Sequence, residues 1–284
     1  MTRVDQFESV FRASAKEVYT YTPLDLQRIL VISDRDAEGT AAFEQDLRRF
    51  LGPLSDRVKW RAIGGGDFDS VGVLLDRVQD VEPSLICTHR HLHSEGWRWP
   101  HSLGEYLDIL TQATPYAVLV APHSESGRAL DHALENNDRV MAVTDHLTGD
   151  DRLVNVAVGL TREKGTLFLT HIEDRANFES MMGIISKVPS IDTEMAREDI
   201  LKQLLHEPTD YIASCAKVLG EQNVDIHIES DVTFGHSIAD YRRLIDEHEI
   251  DLLVFNTKDD DQLAMHGLAY PLAVELREIP LLML

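Results

Sequence analysis

"RILVISD", Arg28 to Asp34, and "RVMAVTD", Arg139 to Asp145, follow one pattern: an arginine, four apolar residues, a hydroxyl residue and an aspartate. A short, continuous apolar run rich in Val and Ile is what a strand needs when helices cover both faces of its sheet, because no position then turns toward water. Their recurrence divides the chain into two halves of like construction.

The ends of the halves repeat as well. "HSLGEYLDILTQATPYAVL" from His101 and "HGLAYPLAVELREIPLLML" from His266 align without a gap, pairing Leu103 with Leu268, Leu107 with Leu272 and Pro115 with Pro280. An internal duplication follows, and it constrains the fold more than any local propensity. In the second half, "RVMAVTD", "TLFLTHI", "VDIHIES", "IDLLVFN" and "IPLLML" read as strands. Between them lie helical patterns, among them "DDRLVNVAVGLTREKG", closed by Gly165, and "HSIADYRRLIDEHE". Five strands alternating with helices imply crossovers and a parallel, doubly wound sheet. Segment 172–206 is longer than a crossover requires and reads as an insertion.

The first half is shorter. "RILVISD", "RVKWRAI", "SLICTH" and "YAVLVA" give four strands, with a turn at Gly64, Gly65 and Gly66. The expected fold class is therefore α/β: two doubly wound parallel-sheet, Rossmann-like domains in tandem, the first abbreviated. The boundaries are a helical extension over 1–26, a first domain over 27–123 and a second over 138–284. Phe7, Val10, Phe11 and Val18 recur at helical spacing, which predicts an amphipathic helix lying on the smaller sheet. The segment 124–138 between the domains is a polar, partly helical linker.

The 49 acidic residues outnumber the 27 basic ones, for a formal charge of −22. That field repels nucleic-acid phosphates and anionic membrane surfaces, so neither is an expected partner. No apolar run is long enough to span a bilayer. Cys87 and Cys215 each lie in an apolar segment, as core thiols do, and a cytoplasmic location is expected.

This alternation, with a buried first strand ending in Asp and a last helix, proline and short apolar strand closing each half, resembles the universal stress protein family. The resemblance implies that "YAVLVA" and "PLLML" pair antiparallel, giving a monomer with an internal pseudo-twofold or a homodimer. Family members that bind ATP carry Gly-x-x-Gly after the fourth strand, where bare backbone amides and a helix N-terminus receive phosphate. The corresponding segments here, "THRHLHSEGW" and "NTKDDDQLAMHG", contain no such spacing. His89, Arg90, His91, Leu92 and His93 fill the first turn, Gly104 is the remnant glycine, and Asp259, Asp260 and Asp261 crowd the second. Like charges repel phosphate there.

The candidate ligand residues are thus Asp34 and Asp145, at the carboxyl ends of the two first strands where open α/β sheets hold ligands, together with His89, Arg90, His91, His93 and Gly104. By resemblance the two aspartates contact the adenine end of a nucleotide. Against that stands a capping role for an Asp that ends a strand. The histidine run reads first as a solvated or interface loop. Its alternate spacing also suits a metal site on His89, His91 and His93, and Arg90 with the histidines could grip a small anion by charge. No nucleophile elbow, zincin helix or dinucleotide fingerprint occurs. We expect a non-enzymatic protein with no catalytic residues, cofactor or metal, acting on a protein partner or small ligand. A nucleotide-binding protein or weak ATPase is the alternative.

Overall fold

Successive residues of the central strands send side chains to opposite faces, and each face meets its own helical layer. In the computed structural model, residues 18–98, 102–123, 129–130, 132–144, 147–257 and 269–284 are described. The strands are β1 (Arg28–Ile32), β2 (Lys59–Ile63), β3 (Leu85–His89), β4 (Ala117–Ala121), β5 (Arg139–Val143), β6 (Thr166–Asp174), β7 (His227–Gly235), β8 (Leu252–Phe255) and β9 (Leu281–Met283). The helices are α1 (Ala37–Leu51), α2 (Val71–Val81), α3 (Glu105–Ala113), α4 (Asp151–Leu160), α5 (Arg175–Ile185), α6 (Thr193–Glu221), α7 (Ser237–Glu247) and α8 (Ala269–Glu275). Leu30, Ile32, Ile86, Val118, Val120 and Leu253 pack beneath α2, α3, α7 and α8. Ile29, Val31, Cys87, Leu119, Val140 and Val254 pack on the other face against α1, α4 and α6.

The result is a mixed α/β architecture built on one nine-stranded sheet in the order β2-β1-β3-β4-β9-β8-β5-β6-β7. Every neighbouring pair is parallel except β4 and β9, which run antiparallel with Leu119 opposite Leu282. The strands predicted to meet at the centre do so. Outward from that seam each side continues with strands buried along most of their length and ends in a polar edge: Lys59 and Arg61 on β2, and His227, Glu229 and Ser230 on β7. Charge on an edge strand blocks further pairing.

Short polar side chains start the helices. Asp36, Ser70, Asp150, Asp174 and Asp192 each accept a hydrogen bond from a first-turn N–H of the helix that follows. Both cysteines are free and buried in the same core, on the face covered by α1, α4 and α6, as their apolar surroundings predict.

The helix expected to run to Gly165 stops at Leu160. Gly165 serves a tight turn instead, since a Cβ there would lie 2.6 Å from the Asp138 carbonyl oxygen. The inserted segment forms a helical hairpin, α5 and the first part of α6. The amphipathic helix expected over 1–26 falls mostly outside the described residues, but 18–26 has no regular structure and lies on the second half. There the Tyr19 hydroxyl donates to Asn155 Oδ1 at 2.6 Å, and its backbone N–H donates to Ser214 Oγ at 3.1 Å. Of the linker, 132–135 is a turn.

Candidate functional site

The parallel register of β1 and β3 pairs Val31 with Cys87, so two residues later Ser33 stands beside His89 at the carboxyl edge of the sheet. Asp34 follows at once. Its Oδ1 lies 3.1 Å from His89 Nε2, and its Oδ2 accepts the His93 backbone N–H at 2.9 Å. The other ring nitrogen of His89 is 3.1 Å from the Arg90 carbonyl oxygen. Both imidazole nitrogens therefore face oxygen atoms, with the Ser33 hydroxyl also 3.4 Å from Nε2. Burial opposes ionisation of Asp34, but the hydrogen bond and charge of His89, with the His93 amide and charge, hold its carboxyl far below the usual carboxylate range. The Asp34 carboxylate caps the loop that follows β3, and the capping of α1 falls to Asp36.

The histidine loop is not solvated. His89, Arg90, His91 and Leu92 are almost entirely buried, and exposure begins at His93. The chain turns back on itself there because His91 and His93 adopt left-handed backbone angles, φ 59° and 53°. His91 packs between two glycines. A Cβ on Gly96 would come within 2.6 Å of its Nδ1, and one on Gly104 within 2.9 Å of its Cα. Gly104 itself has φ 94° and forms the N-cap of α3, so its glycine identity serves the approach of the loop. Burial first, then Arg90, His123, Arg277 and His89, pull His91 down to about 4, which keeps it neutral near pH 7. Its Nδ1 is buried with no hydrogen-bond partner among the described residues.

Arg90 reaches away from the cleft. Its guanidinium donates to the carbonyl oxygens of Ala273 at 2.5 Å and Leu276 at 2.7 Å, at the end of α8 in the other half of the sheet. Terminal helix carbonyls lack intrahelical donors, and a planar fork suits them. Burial and Arg277 draw Arg90 down to about 9 while Glu278 opposes them, and it remains charged at neutral pH. It ties the two halves together.

Phe68, His93 and Tyr106 close the outer side of the loop, with centroids 4.7 Å apart for Phe68 and His93 and 5.5 Å for Phe68 and Tyr106. His123 sets its ring against His89 at 5.5 Å. Gly65 forms the floor: its N–H donates to the Arg35 carbonyl at 2.8 Å, and a Cβ would fall 2.2 Å from the Asp34 carbonyl oxygen. Sequence reasoning saw only a turn in the triple glycine and passed over Phe68, Tyr106 and His123. A run of glycines at the end of the strand after an aspartate is a signal for close backbone approach, but not for which backbone.

The three loop histidines thus diverge: His89 to Asp34, His91 between glycines, His93 to aromatic rings. Among the described residues no three His, Cys, Asp or Glu side chains converge as metal ligands would. Ser33 and Cys87 are fully buried, and burial pushes the Cys87 thiol upward. Asp145 and the acidic run Asp259 to Asp261 lie outside the described residues. At the second corner, Asn256 donates from Nδ2 to the capping Asp150 at 2.5 Å, and Thr257 bonds the Leu284 carbonyl from its N–H at 2.9 Å and its hydroxyl at 2.7 Å.

No protein-family model matches the chain, and no curated protein matches it. Solved structures that resemble it include a functionally unknown protein from Pseudomonas aeruginosa, 14% identical, with TM-score 0.49, covering 91% of this chain and 92% of that one. A universal stress protein from Archaeoglobus fulgidus is 12% identical, with TM-score 0.49, over 90% of this chain and 85% of its own. No helix among the described residues is long and apolar enough to cross a membrane.

Proposed function

We propose that the chain is a cytoplasmic, non-enzymatic stress-response protein of the tandem universal stress type, one that lacks the phosphate loop in both halves and works by binding a protein partner or small ligand. The seam of β4 and β9 supports the tandem reading, since it joins two parallel runs of strands within one chain. A single observation carries the loss of nucleotide binding: both oxygens of Asp34 are held by the loop that would have to receive the phosphates. Arg90 is spent on helix carbonyls, and Glu105 and Asp108 stand in the first turn of α3 where a phosphate would need positive potential. For the second half the same reading rests on its sequence alone, which has no Gly-x-x-Gly.

Equilibrium dialysis of the purified chain against magnesium ATP tests this. The expected result is no stoichiometric uptake and no adenine absorbance carried through purification. Uptake of one or two equivalents at a Kd below about 10 μM, close to 7 kcal/mol of binding, would overturn the reading.

A further inference from the structure

The α5–α6 hairpin takes no part in the site described above. α6 is 29 residues long, about 43 Å at the helical rise. Its later part is anchored, with Pro208, Tyr211, Ile212, Cys215 and Leu219 buried against the sheet. No residue of α6 before Pro208 is fully buried. That first part leans on α5, where Phe178 and Met182 are buried and Arg197 forks onto Glu179 at 2.7 and 2.8 Å.

At the tip, large apolar side chains face water. Ile184 is 66% exposed, Val188 41%, Ile191 41% and Met195 55%. These are four of the seven large hydrophobic side chains exposed among the described residues, all within 184–195. Backbone bonds from Lys187 N–H to Ile184 O, from Val188 N–H to Ile185 O and from Ile191 N–H to Val188 O keep the turn tight, so the four exposed side chains fall within twelve residues at one end of the hairpin. Scattered exposed hydrophobics need no explanation, but a local concentration does. The charge around it is negative. Asp192, Glu194, Glu198 and Asp199 stand against Lys187 and Arg197, and Arg197 is already paired with Glu179. A second copy of this chain, itself at −22, offers the wrong sign.

We propose that the hairpin tip at 184–195 docks a basic amphipathic helix of a partner protein, an apolar stripe flanked by lysines or arginines. The stripe would cover Ile184, Val188, Ile191 and Met195, while the flanking cations meet Glu194, Glu198 and Asp199. This gives the protein-binding reading above its surface, yet the two fail separately, because dialysis against ATP does not involve the tip.

The probe is a fluorescent 18-residue helical peptide with leucines at i, i+3, i+4 and i+7 spacing and lysines elsewhere, followed by anisotropy against the full chain. We expect binding that weakens about tenfold or more in the Ile184→Ser, Met195→Ser double variant, whose substitutions lie on the surface and leave the melting temperature unchanged. Glu194→Lys with Glu198→Lys should weaken the lysine peptide and admit its glutamate counterpart. Equal affinity for wild type and double variant would overturn the proposal, since charge alone would then account for binding. So would light scattering that shows a dimer dissolved by the double substitution, or peptide binding that appears only once residues 1–17 are deleted.

Discussion

Asp34 and His89, 55 residues apart in the chain, stand 3.1 Å apart across the ends of two adjacent parallel strands, and the same carboxylate also takes the His93 amide. An aspartate that would be free to meet a ligand in an open cleft is instead the clasp of the loop that fills the cleft.

Removing the clasp with Asp34→Ala leaves buried His89 without its carboxylate and the His93 N–H without its acceptor. The expected cost is about 1–3 kcal/mol in urea unfolding. Hydrogen exchange at the His93 amide reads the loop directly and should lose its protection. Because the folded carboxyl is held below its ordinary value, its contribution is complete above the unfolded pKa, about 3.9, and is lost as pH falls below that. Asp34→Ala should therefore flatten the acid limb of the melting curve below about pH 4.

His91 acts in a higher window. Its folded pKa, near 4 against an ordinary 6.5, means that the unfolded chain binds more protons between those values, so stability falls as pH drops from about 6.5 to about 4 and levels off beneath. The basic groups facing it, Arg90, Arg277, His89 and His123, belong to both halves. Thermal melts of His91→Gln should show a shallower decline across that interval than wild type. An unchanged slope would place the titration elsewhere.

Arg90→Ala should be among the most costly substitutions in the chain, about 2–4 kcal/mol in denaturant unfolding, because it strands the buried carbonyls of Ala273 and Leu276. Arg90→Lys should recover only part of this, since a single ammonium cannot fork onto both oxygens. A neutral Arg90→Ala would mean that the fork onto Ala273 and Leu276 contributes nothing to holding the halves together.

Gly104→Ala places a Cβ 2.9 Å from the His91 Cα at a residue with φ 94°, and both terms strain backbone against backbone. A loss of about 1–3 kcal/mol is expected. A remnant phosphate glycine with no structural duty would tolerate alanine far better.

The positions of the nine strands were legible in the amino-acid order, and the antiparallel meeting of β4 with β9 was implied by the resemblance that order carries. Strands covered on both faces must be apolar throughout, as Ile29–Ile32, Ile86, Cys87 and Leu252–Phe255 are, and the repeat of Leu107 with Leu272 and Pro115 with Pro280 placed the two ends in equivalent roles. The site was legible only as a set of residues. Asp34, the loop histidines, Arg90 and Gly104 do gather at one sheet edge, but the charged, histidine-rich composition of "THRHLHSEG" pointed to water, and the loop is buried.

What decided its burial is tertiary. A histidine or arginine enters the interior only where oxygen acceptors await it, and those of His89 and Arg90 come from β1 and from the end of α8, 183 and 186 residues beyond Arg90 for the two carbonyls. No local pattern encodes a pairing over that span. Apolar periodicity acts through neighbours and can be read along the chain, whereas the partner of a buried charge exists only once β3 stands beside β1 and the antiparallel seam has brought α8 within reach.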